Sequence, residues 1–218
     1  MIAGIDEAGK GPVLGPMCVC GVLIDEGKLD ALGRLGVRDS KKLTAKQRGE
    51  ISWGIKKLAD KYFILEVSAA QIDELRKVMT MNEIMVVCYV KVLEKLKPTH
   101  AFVDAADVNA GRFGDNIKKK YGGSIEITSE HRADDKYPIV AAASILAKVK
   151  RDELVKDIGK KAGVSIGSGY PSDPKTIMFL EKWVAEHGKL PEFARSSWET
   201  SRRILGKSGK GQKKLGEY

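Results

Sequence analysis

Asp6 and Glu7 stand side by side at the end of a short apolar run, Ile2-Ala3-Gly4-Ile5. The broken stretch Ala8-Gly9-Lys10-Gly11-Pro12-Val13-Leu14-Gly15-Pro16 follows them. An apolar strand that ends in acid and then meets a Gly-rich turn suits a site built at a strand edge. The pair has two readings. One is a solvated turn, the usual fate of Asp and Glu. The other is a metal site, because hard divalent cations take clustered carboxylate oxygens. The apolar flanks favour the metal site. Neighbours on a regular strand point to opposite faces, so both acids reach one ion only where the strand ends or bulges. Gly9 and Gly11 permit such a break. Asp6 is the firmer candidate ligand and Glu7 the softer one.

Two further acidic positions repeat the pattern. Ala101-Phe102-Val103 is a short apolar run that stops in Asp104, and Asp134-Asp135 sit in the turn before a long helix. If the strands ending in Asp6 and Asp104 are parallel neighbours, the two acids lie one strand spacing apart, about 5 Å. That carboxyl edge is the usual site of an open α/β sheet. Like charges so close repel strongly. Mg²⁺ or Mn²⁺ relieves the repulsion, and two such ions hold the attacking water and the leaving oxygen of an in-line phosphoryl displacement. Asp107, three residues past Asp104, is expected to cap the next helix. His100, His131 and His187 allow a Ser-His-Asp triad on paper, but none lies in a nucleophile elbow. Gly9-Lys10-Gly11 runs into Pro12, so it is not a dinucleotide fingerprint, and no Walker A sequence is present.

The elements that must position these acids are readable from the apolar pattern. Strands are expected over residues 2–7, 17–24, 62–67, 101–104 and 124–129, the first two antiparallel across a short link. Helices are expected from Thr44 to about residue 60, from Ser68, over 81–96, near 109–120, from Pro138, near 174–187 and near 195–205. Ala141, Ala142, Ala143 and Ala147 form a close-packing face. Three early strands followed by strand–helix–strand–helix predict a mixed sheet covered by helices, with strands four and five parallel to strand one. The 218 residues fit one main domain, with apolar content of 43%, enough for a core. The expected division is 1–163 for a catalytic domain, 164–205 for a helical appendage and 206–218 for a flexible basic tail.

The net charge of +9 points to an anionic partner, nucleic acid first. Cys18, Cys20 and Cys88 give neither a disulfide framework nor a zinc spacing, and read as buried thiols of a cytoplasmic protein. The chain shows no signal segment and no membrane-length apolar run.

Several motifs together resemble the ribonuclease HII family, archaeal members above all, from Ile2 to about Trp198. They are Gly4-Ile5-Asp6-Glu7-Ala8-Gly9-Lys10-Gly11-Pro12 with Gly15-Pro16, Arg38-Asp39-Ser40-Lys41-Lys42-Leu43 and Val103-Asp104-Ala105-Ala106-Asp107. Ala133-Asp134 leads into Ala142-Ala143-Ser144-Ile145-Leu146-Ala147-Lys148-Val149, and Gly167-Ser168-Gly169-Tyr170-Pro171-Ser172-Asp173-Pro174 comes last. The resemblance implies a ribonuclease H-like α/β fold, with a five-stranded mixed sheet, flanking helices and a small C-terminal helical appendage. It implies endonucleolytic hydrolysis of RNA in RNA–DNA hybrids and of DNA duplexes carrying single ribonucleotides. The cut falls 5′ to the ribonucleotide and leaves 3′-hydroxyl and 5′-phosphate ends.

By motif, the family's four metal-binding acids fall on Asp6, Glu7, Asp104 and Asp134, with Asp134 taken over Asp135 because it directly follows Ala133. The family's junction sensor falls on Gly9, Lys10 and Gly11. Lys10 replaces the common Arg, a point charge where the family has a fork. Tyr170 is implied to stack on the junction sugar, whose 2′-hydroxyl separates RNA from DNA. Lys41, Lys42 and Lys148 are expected on backbone phosphates, with Ser40 and Ser144 orienting nearby groups.

A hybrid-binding protein of the same fold without turnover is an alternative that the four acids oppose. Ribonuclease HIII is another, but it carries an N-terminal domain for which the stretch before Asp6 leaves no room. Finally, Gln212-Lys213-Lys214-Leu215-Gly216-Glu217-Tyr218 resembles a sliding-clamp-binding box, with Leu215 and Tyr218 on one face of a helical turn. A flexible basic tail is the competing reading. The chain is expected to be a monomer.

Overall fold

The computed structural model describes residues 1–37 and 43–212, with side chains up to residue 207. Arg38, Asp39, Ser40, Lys41 and Lys42 lie outside it, as do Leu215 and Tyr218. Gln212 is described in its backbone alone.

Five strands form one sheet in the order β3-β2-β1-β4-β5. β1 (Ile2–Ala8) pairs antiparallel with β2 (Met17–Ile24), Ala8 opposite Cys18. β3 (Lys61–Val67) closes that side. On the other side β4 (His100–Asp104) and β5 (Glu126–Glu130) both run parallel to β1. The expected sheet and strand directions are therefore present. β1 and β2 are buried along nearly their whole length, which is why they read as continuous apolar runs rather than alternating ones.

The helices follow local signals. α1 (Leu29–Arg34) is a short helix the sequence pattern did not announce. α2 (Ala45–Leu58), α3 (Ala69–Arg76) and α4 (Met81–Leu96) each begin at a Thr or Ser whose side chain accepts from the third helical N–H. A Gln or Glu side chain at that third position returns the bond to the cap's own N–H. α5 (Ala110–Tyr121) is capped by Asn109, not Asp107. Asp107 lies two residues earlier, where its carboxylate accepts from the Asn109 N–H and from the Asn82 and Arg112 side chains. α6 (Ala133–Lys136) is a single turn, and α7 (Pro138–Ala162) opens on the proline. α8 (Pro174–His187) starts at Asp173, and α9 (Glu199–Gln212) ends the described chain. The sequence placed a flexible tail from residue 206. The helix instead runs on, because Ile204 is anchored in a core and each added residue then costs less than starting a new turn.

The chain divides into two compact units. One contains residues 1–8, 18–66 and 79–151, and holds the sheet. There Gly4 lets β1 approach α7 closely, since a Cβ at that point would meet the Ile139 carbonyl carbon at 2.3 Å. Ala141, Ala142, Ala143 and Ala147 are all fully buried, as expected of a close-packing face. The other unit contains residues 9–17, 67–78 and 152–218. Its core joins Val13 and Leu14 to Val155, Ile166, Leu180, Val184, Ala194 and Ile204. Among the described residues no helix is long and apolar enough to cross a membrane.

Candidate active site

The strand register brings the acids together. Ile5 faces Val103 across the parallel β1–β4 ladder, so Asp6 and Asp104 follow at the same level at the carboxyl ends of their strands. Carboxylate oxygens of Asp6, Glu7 and Asp104 all lie within 4.8 Å of one another. Asp134 stands outside that trio, buried in the single turn of α6 that follows β5.

Each of the three acids has a fixed partner. Asp6 is only 5% exposed and accepts from the Glu7 N–H at 2.7 Å and from the Ser144 hydroxyl. Burial, then the charges of Glu7 and Asp104, push its carboxyl well above the ordinary Asp range, and the two hydrogen bonds only partly offset this. Ser144 itself accepts from the Lys148 ammonium at 2.7 Å, one turn further along α7. Asp104 accepts from the Ala133 N–H at 2.7 Å, which ties β4 to the turn carrying Asp134. Glu7 accepts from the Tyr89 hydroxyl at 2.8 Å, and the same hydroxyl lies 3.1 Å from the Asp104 carbonyl oxygen. Tyr89 is buried on α4, and burial followed by the Glu7 and Asp6 charges holds its phenol protonated far above its usual range. Nothing in the sequence marked Tyr89, which sits in an apolar helical run. Its partner is 82 residues away.

The second unit holds Gly9, Lys10, Gly11 and Tyr170. Gly9, Lys10 and Gly11 lead out of β1, Gly9 with a φ of 94° that favours glycine. The carbonyls of Gly9, Lys10 and Gly15 accept from the Arg195 guanidinium, and the Gly11 carbonyl accepts from the Trp198 indole. The Val13 and Leu14 N–H groups donate to the Gly169 carbonyl at 2.8 and 3.1 Å, tying this loop to the one that carries Tyr170. A Cβ on Gly11 would lie 3.9 Å from the Tyr170 ring, so the ring runs alongside the Gly11 backbone. Tyr170 keeps 40% of its surface exposed. Its loop is shaped by Asp173 and Thr176, which accept from the Ser168 and Gly169 N–H groups. Gly167 has a φ of 67°, and a Cβ there would strike the Asp173 carboxylate at 2.6 Å.

The histidines form no triad. His100 pairs with Thr128, His131 contacts the Val108 carbonyl and His187 contacts the Trp183 carbonyl. The three thiols are free and buried, and burial lifts Cys18 to about 12 and Cys88 to about 11, which leaves them inert at neutral pH.

Comparison with known proteins agrees with this architecture. A family profile described as Ribonuclease HII matches residues 3–201. A Ribonuclease HII of Methanosarcina acetivorans is 58% identical, over 96% of this chain and 99% of that protein. The crystal structure of ribonuclease H2 from Pyrococcus horikoshii superposes with a TM-score of 0.90 at 41% identity, covering 96% of this chain and 99% of the other. The ribonuclease HII solved in complex with PCNA from Archaeoglobus fulgidus gives a TM-score of 0.87 at 42% identity, over 94% and 96% of the two chains.

Proposed function

The chain belongs to the ribonuclease HII family, and we propose that Asp6, Glu7, Asp104 and Asp134 are the acids with which it hydrolyses RNA. It is a ribonuclease H, an endonuclease that acts on RNA–DNA hybrids. The observation that carries the assignment is the trio of carboxylates within 4.8 Å, one of them buried, at the carboxyl edge of the sheet.

Such a trio is a poor resting arrangement without a cation, because three like charges repel at that distance. Its all-oxygen donor set fits a hard divalent ion, Mg²⁺ or Mn²⁺. Asp6, Glu7 and Asp104 would hold it, with Asp134 adding a fourth carboxylate from α6. When bound, divalent ions supply Lewis-acid activation of water and neutralise charge on the phosphate. The chain's own groups do the positioning. The Glu7 N–H and Ser144 fix Asp6, the Ala133 N–H fixes Asp104 and Tyr89 fixes Glu7.

The reaction is an in-line displacement 5′ to a ribonucleotide. Water oxygen bonds to phosphorus, the P–O3′ bond breaks and the leaving oxygen takes a proton. The ends are a 3′-hydroxyl and a 5′-phosphate. The amides of the Gly9–Gly11 loop and the Tyr170 ring are the groups suited to the ribose, since both offer contacts that a 2′-hydroxyl completes. Lys148 donates to Ser144, which supports a role in orienting Asp6 more than in gripping phosphate. Ser40, Lys41 and Lys42 remain assigned to the substrate backbone on motif alone. The protein acts as a monomer in the cytoplasm.

The tail is a second contact. The Archaeoglobus relative was solved in complex with PCNA. Here Gln212, Leu215 and Tyr218 supply the spacing of a clamp-binding box. Calorimetry of a 209–218 peptide against the organism's sliding clamp should show binding that Leu215→Ala abolishes. No heat at high peptide concentration removes the clamp reading.

The deciding experiment is cleavage of a DNA duplex with one embedded ribonucleotide. One cut on its 5′ side is expected with Mg²⁺ or Mn²⁺, and none with chelator. Asp6→Asn should lower the rate by about a hundredfold or more while the duplex still binds. Unchanged cutting by that variant overturns the site.

A further inference from the structure

A fully buried arginine usually answers a carboxylate. Arg195, with no exposed surface, spends much of its fork on one loop's main chain. Its Nη2 donates to the Gly9 carbonyl at 2.7 Å and to the Gly15 carbonyl at 3.0 Å. Its Nη1 donates to the Lys10 carbonyl at 3.0 Å and its Nε to the Gly15 carbonyl at 3.2 Å. The guanidinium lies 4.8 Å from the centre of the Trp198 ring, and the Trp198 Nε1 donates to the Gly11 carbonyl at 3.0 Å. Arg195 is itself locked to the same stretch, its N–H donating to the Val13 carbonyl at 2.9 Å, next to the Leu14–Ala194 bridge. Three consecutive carbonyls, from residues 9 to 11, are thus drawn toward one pair of side chains, Arg195 buried and Trp198 half-buried.

This has a consequence for the opposite edge of each peptide group. Among the described residues no peptide bond is cis. In a planar trans unit the N–H points away from the carbonyl that precedes it. Drawing the Gly9 and Lys10 carbonyls onto Arg195 therefore turns the Lys10 and Gly11 N–H groups outward. The third unit ends in Pro12 and has no N–H to present. Charge-assisted bonds to the carbonyls also polarise these peptides, which makes their N–H groups better donors. Gly11 meanwhile lies alongside the Tyr170 ring.

We propose that Arg195 and Trp198 are positioning residues for ribonucleotide recognition, holding the Gly9–Gly11 loop so that the Lys10 and Gly11 N–H groups face the ribose. This rests on the reading that the loop contacts the ribose. Neither side chain touches substrate. Both act through the loop's backbone, so they affect where the enzyme cuts more than whether it can cut.

The test compares two substrates, a duplex with one embedded ribonucleotide and a continuous RNA–DNA hybrid, using the full-length chain. Trp198→Phe keeps a ring beside Arg195 and removes only the donor to Gly11. It should lower kcat/KM on the single ribonucleotide about fivefold relative to the hybrid, with an unchanged melting temperature. Arg195→Lys keeps the charge and loses the fork, and should shift the same ratio about tenfold or more. A merely structural role would lower both substrates in parallel and leave the ratio alone. A wild-type ratio in Trp198→Phe overturns the proposal whatever Arg195→Lys does. If the wild-type enzyme cuts the hybrid but not the embedded ribonucleotide, the loop reading itself falls and the proposal falls with it.

Discussion

Tyr89 shows how much of the site depends on a group with no chemistry of its own. One hydroxyl proton serves the Glu7 carboxylate at 2.8 Å and lies within reach of the Asp104 carbonyl at 3.1 Å. It links the end of β1 to the end of β4, the two strands that carry the acids. Removing it leaves the ring packed against Phe113, whose centre is 5.1 Å away, so the fold has little to lose. Glu7 loses its orientation. Tyr89→Phe should therefore raise the divalent-ion concentration needed for half-maximal cleavage about tenfold, the usual scale for a partner of a metal ligand. Titrating activity against Mn²⁺ in both proteins checks this, and superimposed curves would refute it. The acids themselves were legible in the sequence because a carboxylate ending an apolar run is unusual. Asp134 is preferred to Asp135 on motif alone. Tyr89 was not legible, since a tyrosine in an apolar helical run reads as core until its long-range partner is known.

Elements carry their own clasps, and one of them is sensitive to pH. Asp73 on α3 accepts from the backbone N–H and hydroxyl of both Ser196 and Ser197, four bonds between 2.6 and 3.1 Å. Burial pushes its carboxyl up, but the bonds from Ser197 and Ser196 outweigh it and hold the group below the usual Asp range. A carboxylate depressed in the folded state stabilises above its unfolded pKa, and that contribution fades as pH falls through the folded value. Asp73→Ala should thus melt well below the wild type at pH 7, with a gap that narrows steadily toward pH 3. A gap independent of pH would mean that the ionised clasp contributes nothing. Two of the helices were announced by their caps, Thr44 and Ser68. The clasp was not, because Asp73 and Ser196 are 123 residues apart and each looks like an ordinary surface residue. The helix end at Gln212 was missed for a related reason. Composition reports what a segment prefers alone, and α9 is held by Ile204 in a core built elsewhere in the chain.

The whole chain carries two features that no single element shows. The first is its division. The sequence suggests a linear border at residue 163, whereas residues 9–17 and 67–78 group with the C-terminal segment, so Gly9, Lys10, Gly11 and Tyr170, far apart in sequence, share one unit. Periodicity reads local partners and has no signal for such a fold-back. The second is charge, which the sequence reports completely: 38 basic against 29 acidic residues, a net +9. At least three of the acids are gathered in one cluster, which leaves the remaining surface more basic than the total suggests. A polyanionic substrate binding such a surface releases condensed counterions, and affinity falls as salt raised to the power of the phosphates neutralised, with a slope of about −0.9 per contact on duplex. Two contacts already imply a loss of about tenfold between 50 and 200 mM salt, and six imply about a thousandfold or more. Because Asp6→Asn is expected to bind without cutting, it separates affinity from turnover. Its dissociation constant for a hybrid, measured across that salt range in the absence of divalent ions, should rise at least tenfold. A slope near zero would mean that the basic surface is uninvolved and that binding rests on the loop and Tyr170 alone. A steep slope shared by hybrid and plain DNA duplex would assign the charge to general affinity and leave discrimination to the Gly9–Gly11 amides.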